Sequence, residues 1–215
     1  PKLPVSPRSR SWEPVFCMFD PARTAKSSSA STGMVAWSWI GSRLHIWRAK
    51  AGLLLPDQII EEIFNFDSEF GPVWIGVEED GLNEFILQPL RHEMLRRHRI
   101  IPLKPMRAPR GKLDFIRGLQ PYAASGEITL NEASPDLDEQ LANFPAGRID
   151  VPNALAYALP MKPGLAIYEN FSNDNIDPDL APVSSRPVYL CAHAQKALLA
   201  AALVQFVQGQ IRVYA

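Results

Sequence analysis

Three acidic residues stand at the edges of short apolar segments, and this arrangement constrains the fold more than any other feature of the chain. Asp20 and Glu78 each close an apolar segment, and Asp150 precedes the apolar stretch 154–159. A fold can gather such distant carboxylates into a cluster of hard oxygen ligands for Mg²⁺ or Mn²⁺. Two ions held this way can activate a water molecule and stabilise the leaving oxygen in phosphodiester cleavage. The alternative interpretation is that all three are solvated surface acids. This interpretation is weakened because all three lie at the edge of an apolar segment.

The composition is that of one large globular domain, or of a domain with an appendage. The chain has 215 residues, of which 47% are hydrophobic and 21% are charged, and no apolar segment is long enough to span a bilayer. The net charge of −1 means that any affinity for DNA must come from local patches. Cys17 and Cys191 lie in separate apolar segments and are expected to be buried thiols, as in a reducing compartment.

The order of apolar segments and turn signals predicts a strand, a hairpin, a helix, a strand, a helix, a strand and further helices. Gly41 and Ser42 form the hairpin signal. Pro56 opens a helix that Gly71 ends. The remaining expected elements are a helix over 82–98, strands over 100–103 and 128–130, a loop over 104–110, and helices over 111–123, 136–144 and 150–159.

Four segments, in order along the chain, resemble motifs of the nuclease domain of tailed-phage large terminase subunits. Residues 19–22 (FDPA) resemble the first-strand motif of that family, a hydrophobic residue followed by D-P-A. Residues 77–81 (VEEDG) resemble its second acidic motif, E-x-N/D-G after a strand. Residues 112–130 (KLDFIRGLQPYAASGEITL) and 137–159 (LDEQLANFPAGRIDVPNALAYAL) resemble its two later motifs. The similarity covers residues 15–160.

The resemblance implies a ribonuclease-H-like α/β fold. Such a fold has a mixed sheet, with antiparallel first three strands and then parallel strands, flanked by helices. Its first and fourth strands are neighbours, so Asp20 and Glu78 would meet, and a helix start would deliver Asp150 to the same point. Asp20 would bridge two metal ions, and Glu78 and Asp150 would each complete the shell of one. Glu79 and Asp80 are possible substitutes for Glu78.

The chain departs from the family pattern at two positions near the third acid. Ile149 precedes Asp150 where the family often has an adjacent acid, and Asn153 stands where the family has its next acid. An Asn carbonyl can still reach a metal or its water shell, but it supplies no charge, so the second ion would be bound more weakly. No G-x-x-x-x-G-K-[ST] motif occurs, so the ATPase half of the family is absent from the sequence. With Pro1 as its first residue, the chain is interpreted as an excised nuclease part of a longer protein.

The segment 91–112 is locally basic, with eight Lys or Arg residues against the single acid Glu93. Such a cluster can neutralise phosphates without reading base sequence. Arg91, Arg96 and Arg97 are interpreted as a solvated helix end. The predicted DNA contacts are Lys104, Arg107, Arg110 and Lys112, the last of which matches a lysine of the family motif.

The function implied by the resemblance is metal-dependent endonucleolytic cleavage of double-stranded DNA during viral genome packaging. The expected location is the host cytoplasm, the expected partners are DNA, a portal protein and a small terminase subunit, and no membrane is involved. Two other interpretations stay open. One is another ribonuclease-H-like nuclease of the resolvase or transposase type. The other is a catalytically weak module for DNA binding or assembly.

The C-terminal region is expected to be separate from the nuclease domain. Residues 201–215 resemble 33–49, which indicates a truncated second copy of the opening strand-and-hairpin unit. His193 falls close to the position equivalent to Asp20, so this copy is expected to bind no metal. The alternative for 194–208 is a helix, since Ala and Leu are good helix formers. The expected organisation is an arm over 1–14, a nuclease domain over 15–160, a linker or long loop over 161–187 and a strand-hairpin appendage over 188–215.

Overall fold

The computed structural model of the protein describes residues 2–10, 13–22, 31–78, 86–107, 110–162, 188–195, 198–207 and 210–214. The chain divides into two compact units, Pro1–Lys162 and Pro163–Ala215. Glu79, Asp80 and nearly all of the expected linker over 161–187 lie outside the described residues. Within the described part of the chain, no helix is both long and apolar enough to cross a membrane.

A six-stranded mixed sheet lies at the centre of the first unit. Its strands are β1 (Phe16–Asp20), β2 (Thr32–Ile40), β3 (Arg43–Gly52), β4 (Trp74–Glu78), β5 (Leu103–Met106) and β6 (Ile128–Leu130). Their order across the sheet is β5-β4-β1-β2-β3-β6. The first three strands are antiparallel, whereas β4 runs parallel to β1, β5 to β4 and β6 to β3. This is the mixed α/β sheet predicted from the sequence.

Helices cover both faces of the sheet. Side chains alternate between faces along a strand, so Cys17 and Phe19 of β1 pack on one side and Met18 on the other. Asp20 follows in the same alternation and points to the side of Met18. The helices on the Cys17 side are α1 (Pro56–Phe70) and α2 (Gln88–Arg96), and those on the Met18 side are α3 (Lys112–Arg117), α4 (Gln120–Ala124), α5 (Pro135–Ala142) and α6 (Asp150–Ala156).

Several of the predicted elements have different bounds in the structure, and two of these differences concern the region of the predicted DNA contacts. The strand expected over 100–103 is β5, and it includes Pro105. Proline lacks an N–H, but an edge strand such as β5 tolerates it, so the expected loop starts later, at Arg107. The helix expected over 111–123 is divided into α3 and α4 around Gly118 and Leu119. Both differences lie close to the predicted DNA contacts.

The N-terminal arm pairs with the edge strand β6. Val5 forms a parallel bridge with Leu130. The backbone N–H of Ser6 donates to the Leu130 carbonyl at 2.7 Å, and the N–H of Leu130 donates to the Pro4 carbonyl at 2.9 Å. Leu3 is buried in the core. The arm therefore covers the unpaired backbone groups that an edge strand would otherwise expose.

The second unit contains an antiparallel sheet of three strands. They are β7 (Val188–Gln195), β8 (Leu198–Val207) and β9 (Gln210–Tyr214), in the order β7-β8-β9. Each strand is antiparallel to its neighbour. Residues 194–208, for which a helix was the alternative, thus include strand β8 over 198–207. The suggestion that this unit is a truncated second copy stays a prediction.

Gly33 of β2 allows α6 to approach the sheet at the strand pair that carries Asp20. Gly33 is the register partner of Asp20. A Cβ atom at Gly33 would lie only 2.2 Å from the backbone oxygen of Asp150 and 2.5 Å from its carbonyl carbon. A side chain at this position would push the start of α6 away from the sheet.

We therefore predict that Gly33→Ala lowers the free energy of unfolding by about 1–3 kcal/mol, the usual cost of overpacking a dense interior. Urea denaturation measures the effect. Gly52→Ala is the matched control, because its new Cβ would meet only the Leu54 side chain, at 3.0 Å or more. Equal denaturation midpoints for the two variants would show that the close approach of α6 is not required.

Candidate active site

Asp20 and Glu78 meet at the ends of two adjacent strands. Strands β1 and β4 run parallel with Phe19 paired to Val77, so the next residue of each strand lies at the same edge of the sheet. Both acids are buried, with 8% of Asp20 and 7% of Glu78 exposed. The structure therefore brings two of the three predicted acids together.

Asn153 of α6 joins these two carboxylates. Its Nδ2 donates to Asp20 Oδ2 at 2.8 Å and to Glu78 Oε2 at 3.0 Å. Its Oδ1 is buried and has no hydrogen-bond partner among the described residues. Buried polar atoms are nearly always paired, so the unpaired oxygen of an amide whose nitrogen contacts two carboxylates fits a place for a water molecule or a cation.

Lys112, the first residue of α3, supplies a positive charge to the same place. Its Nζ donates to Asp20 Oδ2 at 3.1 Å. Burial lowers the pKa of Lys112, but the negative charges of Asp20, Glu78 and Asp150 outweigh burial, and the net effect is a raised pKa. All three predicted acids therefore act electrostatically on one ammonium group.

Asp150 is buried near the other two acids, but its carboxylate makes a different set of contacts. Its Oδ2 accepts hydrogen bonds from the backbone N–H of Ser31 at 2.9 Å and from the Ser31 hydroxyl at 2.6 Å. In the part of the chain that the structure describes, no three Asp, Glu, His or Cys side chains form a group that could hold one ion. Asp150, the third predicted ligand, is therefore buried at the site, but its carboxylate is hydrogen-bonded to Ser31.

The surroundings of Asp20 disfavour the ionised form of its carboxyl group. Burial raises the pKa of Asp20 from 3.8 to about 6, and the charge of Glu78 adds to this increase, whereas Lys112 and the Asn153 amide oppose it. The desolvation of a carboxylate thus outweighs a direct contact with an ammonium group. A carboxyl group in this state binds a proton near neutral pH when no metal ion is present.

Tyr157 is a residue that the sequence reasoning missed. Its hydroxyl lies 2.9 Å from Glu78 Oε2 and 3.0 Å from the backbone oxygen of Arg107. The signal that could have found it is the spacing of Asp150, Asn153 and Tyr157, which places three polar groups on one face at the i, i+3 and i+7 positions of a helix. Ser31 was missed as well, and nothing in its Ser- and Thr-rich surroundings distinguishes it.

The four predicted DNA contacts begin with Lys104 within β5 and end with Lys112 at the carboxylates. The Lys104 ammonium lies 4.9 Å from the centre of the Trp74 ring, a cation–π contact. Arg107 and Arg110 are exposed, with residues 108 and 109 between them outside the described part. Lys112 ends the series at Asp20. Two exposed cations thus lie along the chain between the edge strand β5 and Lys112.

Other cations of the basic segment are paired with acids. Arg96 and Arg97 both donate to Glu93, and Arg99 donates to Asp67 through two nitrogens. Their charges are compensated locally, which agrees with the interpretation of Arg96 and Arg97 as a helix end.

Solved structures of viral terminase nucleases have the same fold. The nuclease domain of the human cytomegalovirus terminase matches with a TM-score of 0.51 and 15% identity, over 73% of this chain and 88% of that domain. The large terminase nuclease of the thermophilic phage G20c matches with a TM-score of 0.54 and 14% identity, over 75% and 94%. The P22 large terminase nuclease domain matches with a TM-score of 0.51 and 10% identity, over 74% and 87%.

Sequence comparison finds no matching family profile and no matching curated protein. The likeness therefore concerns the fold, and at that level the prediction is confirmed. The chain has the ribonuclease-H-like α/β fold of terminase nuclease domains.

We predict that the contribution of Asp20 to the stability of the metal-free protein falls as the pH rises. The pKa of Asp20 is about 6 in the folded state against 3.8 as its ordinary value, so the folded state binds this proton more tightly. The stabilisation is complete below pH 3.8 and is lost as the pH rises through 6. A shift of this size corresponds to about 3 kcal/mol. Urea unfolding in EDTA across this range measures it. Asp20→Asn should flatten the profile, and parallel profiles for wild type and variant would contradict the assignment.

Proposed function

We propose that the protein is a divalent-metal-dependent endonuclease that cleaves double-stranded DNA in viral genome packaging, as the nuclease part of a large terminase subunit. The observation that carries the proposal is the buried pair of carboxylates, Asp20 and Glu78, at adjacent strand ends with Asn153 between them. Solved structures of the same fold support it, since those matched are viral terminase nucleases, and the cytomegalovirus domain, with a TM-score of 0.52, has been soaked with Mn.

The oxygen atoms at the site are suited to Mg²⁺ or Mn²⁺. Asp20 and Glu78 offer carboxylate oxygens, and a half-turn of the Asn153 amide would present its unpaired oxygen to the same space. Asp150 would serve a second ion from the start of α6. When bound, such cations supply an activated water molecule and stabilise the leaving oxygen.

Lys112 would change partners during this process. In the metal-free protein its ammonium neutralises Asp20. An arriving cation would take over that role and repel the ammonium, which could then contact a DNA phosphate. Arg107 and Arg110 would hold the backbone of the duplex next to the carboxylates, and sequence preference would be weak because phosphate contacts carry no base information.

The packaging context adds partners and a location to the proposal. By resemblance to the family, a portal protein and a small terminase subunit would be the partners, and the host cytoplasm would be the location. A second candidate function is a module that binds DNA and cleaves it weakly or not at all. Asn153 in the place of the family acid, and the contact of Asp150 with Ser31, favour this alternative.

The first test of the proposal is plasmid cleavage. We expect nicking and linearisation with Mn²⁺ or Mg²⁺ and none in EDTA, because the carboxylates require a hard cation. Asp20→Ala and Asp150→Ala should abolish cleavage in folded protein. Asp57→Ala, which removes an exposed acid in the first turn of α1, is the control and should cleave as wild type does. If the wild-type protein binds DNA in the presence of metal but does not cleave it, the second candidate function is favoured. Cleavage in EDTA would refute the metal-binding roles of Asp20 and Asp150.

The second test is the salt dependence of DNA binding. Arg110→Ala should weaken the binding of duplex DNA and reduce the slope of log affinity against log salt by about one, since each phosphate contact releases about one counterion. Arg43→Ala removes an exposed cation at the start of β3, which pairs with the end of β2 that is remote from Gly33, and should leave the slope unchanged. An unchanged slope in the Arg110 variant would mean that this residue is an ordinary solvated cation. Fluorescence anisotropy with a labelled duplex provides the measurement.

A further inference from the structure

Tyr157 holds a buried hydroxyl at the centre of the polar site. The residue is 4% exposed, and its ring packs edge-on against Phe115 of α3 with 5.1 Å between ring centres. The hydroxyl is directed at Glu78 Oε2 and at the Arg107 carbonyl, at 2.9 Å and 3.0 Å. The ring contact thus fixes the hydroxyl between a predicted metal ligand and the first residue of the basic segment after β5.

The hydroxyl has one proton, and its described contacts include two acceptors, Glu78 Oε2 and the Arg107 carbonyl. A carboxylate is the stronger acceptor, because hydrogen bonds to a charged oxygen are shorter and roughly twice as strong as those between neutral groups. The proton is therefore donated to Glu78. Since the Asn153 amide donates to the same Oε2 at 3.0 Å, one donor from α6 and one from the residue directly after it hold one oxygen of Glu78.

The Arg107 carbonyl is the second contact of the same hydroxyl. Met106 is the register partner of Glu78 at the ends of β5 and β4, so the chain leaves the sheet next to the carboxylate. Movement of Glu78 would alter the contact of Tyr157 with Arg107, and movement of the basic segment would alter the contact with Glu78. One side chain therefore links the geometry of the metal ligand to that of the predicted DNA-binding segment.

We infer that Tyr157 is the positioning residue for Glu78 and that it also fixes the backbone at Arg107, where the chain leaves β5, next to Glu78. The inference rests on the proposed metal-dependent nuclease function. Residues that orient metal ligands from behind in this way typically affect metal affinity by roughly 10- to 100-fold. A residue that served only to fill the core would change stability without changing metal affinity.

The test is Tyr157→Phe, which removes the hydroxyl and keeps the ring. Titration calorimetry with Mn²⁺ alone should show an affinity roughly ten-fold weaker than that of wild type. Binding of duplex DNA in EDTA should weaken a few-fold with an unchanged salt slope, because no cation has been removed. Tyr122→Phe, which removes the hydroxyl from a tyrosine whose ring packs on Trp39, is the control and should match wild type in both measurements.

The outcomes separate this inference from the function on which it rests. Mn²⁺ binding by wild type together with an affinity of Tyr157→Phe within about two-fold of wild type would overturn the inference alone. Absence of Mn²⁺ binding by wild type would overturn the proposed function and this inference with it. If Tyr157→Phe does not fold, Phe115→Leu loosens the ring and keeps the hydroxyl, and an unchanged Mn²⁺ affinity in that variant would also overturn the inference.

Discussion

Two carboxylates buried at adjacent strand ends repel each other, and the architecture around them supplies the groups that make this arrangement tolerable. Burial disfavours the ionised form of Asp20 and the charge of Glu78 adds to this effect, which is why the pKa of Asp20 is raised to about 6. Lys112 contributes a charge, and Asn153 and Tyr157 contribute hydrogen-bond donors. Groups perturbed in this way are concentrated at functional sites, and under the proposed function a divalent cation would compensate the remaining negative charge.

The fold brings this site together from four separate parts of the chain. The parallel pairing of β1 and β4 places Asp20 and Glu78 at one edge. The close contact between Gly33 and the start of α6 positions the helix whose polar face carries Asn153. Helix α3, on the same face of the sheet as α6, supplies Lys112 from its first residue. Burying the two carboxylates lowers the free energy of unfolding. The dense apolar core on both faces of the sheet offsets this cost.

Local patterns were sufficient to predict much of this architecture. The turn at Gly41 and Ser42 gave the hairpin because glycine can adopt the left-handed backbone conformation, with φ at 60°. The pair of Pro56 and Gly71 bounded α1, with Gly71 also left-handed. The meeting of Asp20 and Glu78 was predicted from the family resemblance, because sequence spacing alone does not specify which strands are neighbours.

Contacts between distant residues were not predictable in the same way. The bond of Ser31 to Asp150 joins residues that are 119 positions apart, and the serine has no distinguishing neighbours. Pro105 favoured a loop in the sequence analysis, because proline lacks the N–H that a central strand needs. The structure tolerates it in a strand because β5 lies at the edge of the sheet, which the sequence does not reveal. Diffraction from Mn²⁺-soaked crystals, with anomalous data, tests the central claim directly. The account predicts a Mn²⁺ peak between Asp20 and Glu78 with the Lys112 ammonium displaced, and an undisturbed contact of Lys112 with Asp20 at saturating Mn²⁺ would contradict it.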